Sequence, residues 1–324
     1  MHDILTVTLN PALDVSSATE HVAPGLKLRM DPPVAEPGGG GINVARAAAK
    51  LGATPRAIAA LGGMNGMHIS KLLDGTGVSL LPFAVTGETR QNLAVTDRSN
   101  GQQYRLQMPG PVWTPEMEDE IGAMIGAEAA AIGPGAVVVL SGSQPPGMRP
   151  GFAQALAGRL AGQARLVVDT SGAPLDLLVR SPKAGAEPLV LRMDQEESEG
   201  LAGHPLPDIA ASLDMAQALV RAGAAHCVVV ARGAEGSVLA TADLRLHVRP
   251  PEVQVVSKIG AGDSFTAAFA LTLAGSPSGA EDWGAALLAG TAAAAAAVMT
   301  PGSELLRPED MRAILPRCIR TDHA

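Results

Sequence analysis

The chain has 324 residues, 47% of them apolar and only 2% aromatic, and carries a formal charge of −8 at pH 7. That length fits one large α/β domain or two modest ones, packed by alanine, valine and leucine rather than by rings. The acidic balance excludes a non-specific nucleic-acid binder, which needs a basic surface, but leaves room for a local positive cleft.

In chain order, short β-branched runs predict strands at residues 5–9, 56–60, 136–140, 166–169, 189–192 and 227–231. Between and after them, alanine-rich stretches predict helices at 41–51, 115–131, 151–161, 208–222 and 263–274. Gly52, Gly223 and Gly275 follow the first, fourth and last of these as stop signals. Strand alternating with helix implies a mostly parallel sheet covered on both faces, with ligands beyond the carboxyl ends of its strands. Two pieces, 15–36 and 82–111, break that rhythm, and the second holds the hairpin signal Asn100-Gly101. They read as a small antiparallel sheet whose apolar face needs cover, from closure over substrate or from a second copy.

Other classes find no foothold. The segment from Met1 to Leu9 alternates like a strand and lacks the basic and apolar regions of a signal peptide. The uncharged stretch 285–299 is mostly alanine, too short and too weakly apolar for a bilayer, and reads as a helix packed on the sheet. Cys227 and Cys318 form no disulfide framework, which fits a reducing cytoplasm. The histidines form no metal-spaced cluster, and no Gly-x-Ser-x-Gly elbow is present.

Two stretches carry chemistry. Gly260-Ala261-Gly262-Asp263 stands directly before a helical run, where unpaired backbone N–H groups converge on an anion and the carboxylate can face a hydroxyl. It is neither a Walker A loop nor a dinucleotide fingerprint. Taken alone it also fits an Asp cap after a tight turn. The glycines at 38–41 lead into Ile42-Asn43, so backbone can approach a sugar closely and Asn43 can bond its hydroxyls. Asp14, at a strand end, could accept vicinal hydroxyls.

With 8–14, 36–46, 89–93, 103–110, 141–147 and 260–264 in place, the chain resembles the ribokinase-like (PfkB) carbohydrate kinases, nearest the minor bacterial 6-phosphofructokinase type. The resemblance implies a three-layer α/β/α core (1–14, 36–82 and 112–324) with a β-sheet lid (15–35 and 83–111) that pairs in a homodimer. It implies an ATP-dependent kinase giving fructose 1,6-bisphosphate from fructose 6-phosphate. Fructose 1-phosphate or tagatose 6-phosphate are alternative acceptors, and a catalytically weakened sugar-phosphate binder is the alternative of another class. Related 1-phosphofructokinases usually carry lysine within the glycine run, where Gly40 stands here.

By the same resemblance Asp263 is the base and Gly260, Ala261 and Gly262 are the anion hole. Asp14, Gly39, Gly40 and Asn43 hold the sugar. Lys27, Arg29, Arg90 and Arg105 supply positive charge for the sugar phosphate and the transferring group, Arg105 as part of the catalytic set, with Ser141 nearby. The nucleotide side comprises Arg192, Asp194, Ala231, Arg232, Gly233, Gly236, Ser257, Lys258 and Gly302. Glu197 holds Mg²⁺ through water, and a potassium requirement is left open. Three positions depart from the family: Asp194 replaces Asn, Ala231 replaces a hydroxyl residue, and Lys258 replaces threonine. Lys258 or Arg232 is expected to take over part of the phosphate neutralisation. The expected setting is the cytoplasm, with small-molecule substrates and no nucleic acid or membrane.

Overall fold

A computed structural model describes residues 4–302 and 304–323; the first three residues of the Met1–Leu9 alternation lie outside them. The elements run β1 (Ile4–Thr8), β2 (Ala12–Thr19), β3 (Val34–Gly38), α1 (Gly40–Lys50), β4 (Arg56–Leu61), α2 (Gly63–Leu73) and β5 (Ser79–Ala84). Next come β6 (Arg90–Asp97), β7 (Gln103–Gln107), α3 (Pro115–Ile132), β8 (Ala136–Ser141), α4 (Phe152–Leu160), β9 (Ala164–Asp169) and α5 (Ala173–Arg180). The last third holds β10 (Val190–Asp194), α6 (Gln195–Ala202), α7 (Ile209–Arg221), β11 (Cys227–Ala231), β12 (Ser237–Ala240) and β13 (Arg245–Arg249). It closes with α8 (Ala261–Gly275), α9 (Trp283–Ala297), α10 (Pro308–Ile314) and β14 (Ile319–Asp322).

The large sheet has ten strands in the order β14-β13-β12-β11-β10-β9-β8-β1-β4-β5. From β11 to β5 every pair is parallel, and β12 to β14 add an antiparallel edge. Successive side chains in a strand point to opposite faces. Leu5, Val7, Val138, Leu140, Val228 and Val230 therefore meet α3, α4, α5 and α7 on one side. Ile4, Val137, Val139, Cys227 and Val229 meet α1, α8 and α9 on the other. These are the three expected layers. The alanine stretch is α9, where Gly290 lies so close to Phe265 that an added Cβ would stand 2.8 Å from the ring. Among the described residues no helix is long and apolar enough to cross a membrane.

The small sheet has the order β3-β2-β6-β7. Its outer pairs are antiparallel as expected, but the central pair, β2 with β6, is parallel, so the sheet is mixed. Its strands also reach into what the sequence assigned to the core, because β2 and β3 carry 12–14 and 36–38. The small sheet and the glycine run are thus one continuous piece. Gly52 and Gly223 take the positive φ of a helix stop, whereas Gly275 is helical and Ser276 caps α8 in extended conformation.

Candidate active site

The carboxyl ends of β8, β9 and β10 bring three polar residues into one row. Ser141 registers with Asp169, and Asp169 with Arg192. Above the row stand the N-termini of α1 and α8. Gly39 caps α1 at φ 118 and Gly260 caps α8 at φ 75, conformations that suit glycine. A Cβ on Gly40 would overlap Ser141 Oγ, and one on Gly38 would overlap the Asp14 carboxylate. The glycine run is therefore set by close approach, and a side chain at position 40 has no room.

On the acceptor side, Glu36, Asp14 and Asn92 lie in one row across β3, β2 and β6. Asn92 Nδ2 donates to Asp14 Oδ1 at 2.7 Å. Burial raises the Asp14 pKa above its ordinary value, helped by the Glu36 charge and opposed by Asn92, Arg90 and Arg105. Arg90 donates through Nε to the Asn10 carbonyl at 3.2 Å. Arg105 is exposed on β7, yet its charge reaches Asp14. Buried Asn10 Oδ1 and Gln144 Nε2 have no hydrogen-bond partner among the described residues. Such polar atoms suit a sugar's hydroxyls.

Asp263 joins the two helix ends. It lies half-buried in the first turn of α8, and Asn43 Nδ2, from α1, donates to its Oδ2 at 3.0 Å. Burial and then the neighbouring Asp169 charge push its pKa up to about 7, against the pull of Asn43, Arg192 and Arg46. A carboxyl near neutrality is matched to proton transfer at neutral pH. The adjacent N–H groups of α8 lack intrahelical acceptors and form an anion cradle. Arg192 lies under that cradle, since a Cβ on Gly262 would stand 3.0 Å from its Nη1. Asp169 holds it at 3.3 Å while accepting from Thr266 Oγ1 at 3.1 Å.

The donor side is organised differently. Asp194 caps α6 and forms a reciprocal capping box with Glu197, each accepting the other's backbone N–H at 2.9 Å. Burial raises the Glu197 pKa, with the Asp194 N–H opposing. Ala231 ends β11 beside Asp194, and Gly233 and Gly236 turn the chain at positive φ. The Arg232 guanidinium does not face this surface. It is buried, donating to Leu206 O at 2.9 Å and Ser212 Oγ at 2.6 Å and pairing with Glu235 at 2.7 Å. Its expected share in phosphate neutralisation is therefore corrected: burying a charge requires partners, and here the protein itself supplies them. Lys258 is exposed two residues before the cradle, and Ser257 Oγ donates to Gly302 O at 3.3 Å.

Lys27 and Arg29 sit exposed in the loop between β2 and β3, and among the described residues no side-chain hydrogen bond links them to the cluster. Three residues of the site escaped sequence reasoning: Asp169, Arg46 and Asn92. Asp169 ends a predicted strand on the ligand-binding edge, and Arg46 and Asn92 lie within the stretches 36–46 and 89–93 that carry the resemblance, but none of the three was given a role.

Residues 7–310 match the profile described as pfkB family carbohydrate kinase. Among curated relatives, the ATP-dependent 6-phosphofructokinase isozyme 2 of Escherichia coli strain K12 is 36% identical over 312 residues, covering 96% of this chain and 97% of its own. A 1-phosphofructokinase from Xanthomonas campestris pv. campestris is 33% identical over 274 residues, 83% of each chain. The crystal structure of phosphofructokinase-2 from Escherichia coli in complex with fructose-6-phosphate superposes with a TM-score of 0.84 at 34% identity, covering 98% of this chain and 99% of that one.

Proposed function

The chain belongs to the pfkB family of carbohydrate kinases, and from that premise we propose that it transfers the γ-phosphoryl group of ATP to O1 of fructose 6-phosphate. The product is fructose 1,6-bisphosphate. One observation carries the reading: Asp263, with its pKa raised to about 7, stands at the amide cradle of α8 and touches Asn43 of the glycine-run helix at 3.0 Å. Asp263 takes the proton of the C1 hydroxyl as O1 bonds to the γ-phosphorus, and the bond to the departing ADP breaks. The Gly260, Ala261 and Gly262 amides face the charge on the moving group, so acceleration comes from positioning and electrostatics.

Asp14, Asn43 and the backbone at Gly39 and Gly40 hold the sugar, and Arg90 and Arg105 supply charge for its phosphate. Donor phosphates lie toward Lys258 and Arg192. Glu197 would hold a magnesium ion through water: its Oε2 is engaged in the capping box, which leaves Oε1 to meet a water of the ion's shell. When bound, that ion neutralises the donor phosphates.

Gly40, standing where related 1-phosphofructokinases and tagatose-6-phosphate kinases usually carry lysine, supports this acceptor by resemblance. A coupled ADP-release assay over fructose 6-phosphate, fructose 1-phosphate and tagatose 6-phosphate tests it. Fructose 6-phosphate should give the highest kcat/KM; binding without ADP release would show a sugar-phosphate binder instead. The lid also implies a second copy. Tyr104 and Leu106, two residues apart on β7, are exposed on one face of the small sheet, in register with Val95 and Leu93 of β6, an apolar face that lacks cover at this edge. Sedimentation should find a dimer that Leu106→Asp dissociates; a monomeric wild type contradicts this part.

A further inference from the structure

Arg46 does more than add charge near Asp263: α1 sets it against Asn43, the residue that touches the base. Its side chain is only 16% exposed. Nη1 donates to Asn43 Oδ1 at 3.2 Å and to the Pro37 carbonyl at 3.4 Å, and Nη2 faces Glu36 at 3.9 Å. Asn43 and Arg46 are three residues apart on one helix and share a face.

The chemistry of the two groups sets a direction. A guanidinium can only donate, so the amide atom turned toward Arg46 is the oxygen. The nitrogen end then points at Asp263, where Nδ2 meets Oδ2 at 3.0 Å. A donor at Oδ2 makes that oxygen an acceptor. The proton leaving the sugar hydroxyl goes to Oδ1, which accepts no hydrogen bond among the described residues. We propose that Arg46 is a positioning residue for the base: by fixing the polarity of the Asn43 amide, it decides which oxygen of Asp263 faces the acceptor hydroxyl. This rests on Asp263 being that base.

Without Arg46 the amide can turn over. Its oxygen would then face the carboxylate, two acceptors in contact, and Asp263 would relieve the repulsion by shifting or by holding a proton. The groups acting on Asp263 are Asn43 and Arg46 from α1, Asp169 at the end of β9 and Arg192 from β10. Arg46 itself is faced by Glu36 from β3, Asp14 from β2 and Asp263 from α8, with Lys50 one turn on.

Steady-state kinetics of full-length Arg46→Gln and Arg46→Lys, across pH, tests the proposal. Glutamine can present either end of its amide and is neutral; lysine, like arginine, only donates. Arg46→Gln should lower kcat about 10- to 100-fold, the scale of a misplaced catalytic group, with the sugar-phosphate KM within about threefold. Its acid limb should move to higher pH, and Arg46→Lys should recover most of the rate.

A kcat within about threefold of wild type with an unmoved limb, a loss confined to KM, or a lysine variant no better than glutamine overturns the proposal. Should Arg46→Gln fail to fold, Asn43→Asp carries the test. That near-isosteric change sets an acceptor against Asp263, so kcat should collapse, and near-wild-type turnover overturns the proposal. An Asp263→Asn variant that still turns over removes the base and this inference together. An inactive Asp263→Asn beside a silent Arg46→Gln removes the inference alone.

Discussion

The acceptor and donor halves of this site are built on opposite plans. In the proposed acceptor half the backbone packs closely: Gly38 presses against Asp14 and Gly40 against Ser141, and the side chains reach across elements, Asn92 to Asp14 and Asn43 to Asp263. In the donor half the side chains are occupied with one another. Asp194 and Glu197 cap a helix, Arg232 is sealed among Leu206, Ser212 and Glu235, and Arg192 is held by Asp169. A half built from close backbone approach tolerates little change, because no smaller residue than glycine exists. A half built from side-chain pairs can exchange one set for another.

The largest effect should fall where the halves meet. Asp263→Asn should lower kcat about 10²- to 10⁴-fold, the contribution of a general base, while sugar-phosphate binding measured by calorimetry persists. Gly40→Ala comes next. Its methyl must displace Ser141 and the Gly142 amide, and kcat/KM for the sugar should fall about 10- to 100-fold with ATP binding kept. An active Gly40→Ala enzyme would break the contrast between the halves.

Such glycines were legible because a glycine run before a helix signals backbone that must approach its neighbours with no side chain between them. The Asn100-Gly101 turn likewise announced the β6–β7 hairpin, and the alternation of strand and helix announced the layered core. The pairing of β2 with β6 was not legible, since alternating polarity records a strand but not its partner. Asp169 and Arg46 were hidden for a related reason. One is the last residue of a strand and the other a helical arginine, and each gains its meaning only when register and helix phase bring neighbours to it. Arg232 misled in the other direction, because an arginine beside a glycine turn reads as phosphate-facing until its burial is seen.

The donor half sharpens the comparison with smaller effects. Arg232→Leu leaves Leu206 O and Ser212 Oγ without their donor and should cost roughly 1–3 kcal/mol in urea denaturation. Its ATP KM should stay within about twofold, since the guanidinium faces the protein rather than the nucleotide. Lys258→Thr should do the converse: unchanged stability, and an ATP KM raised about two- to fivefold by an amount that shrinks with salt, as for an exposed charge. If Arg232→Leu weakens ATP binding and Lys258→Thr does not, the assignment of these two cations is reversed.

The most direct measurement is the pH dependence of kcat/KM for fructose 6-phosphate at saturating ATP, in wild type and in Asp263→Asn. The raised carboxyl must lose its proton to act, so wild-type activity should rise with pH through about 7, and the residual activity of Asp263→Asn should lack that rise. An identical limb in both enzymes, or a variant within about tenfold of wild type, would contradict the assignment of Asp263 as the base.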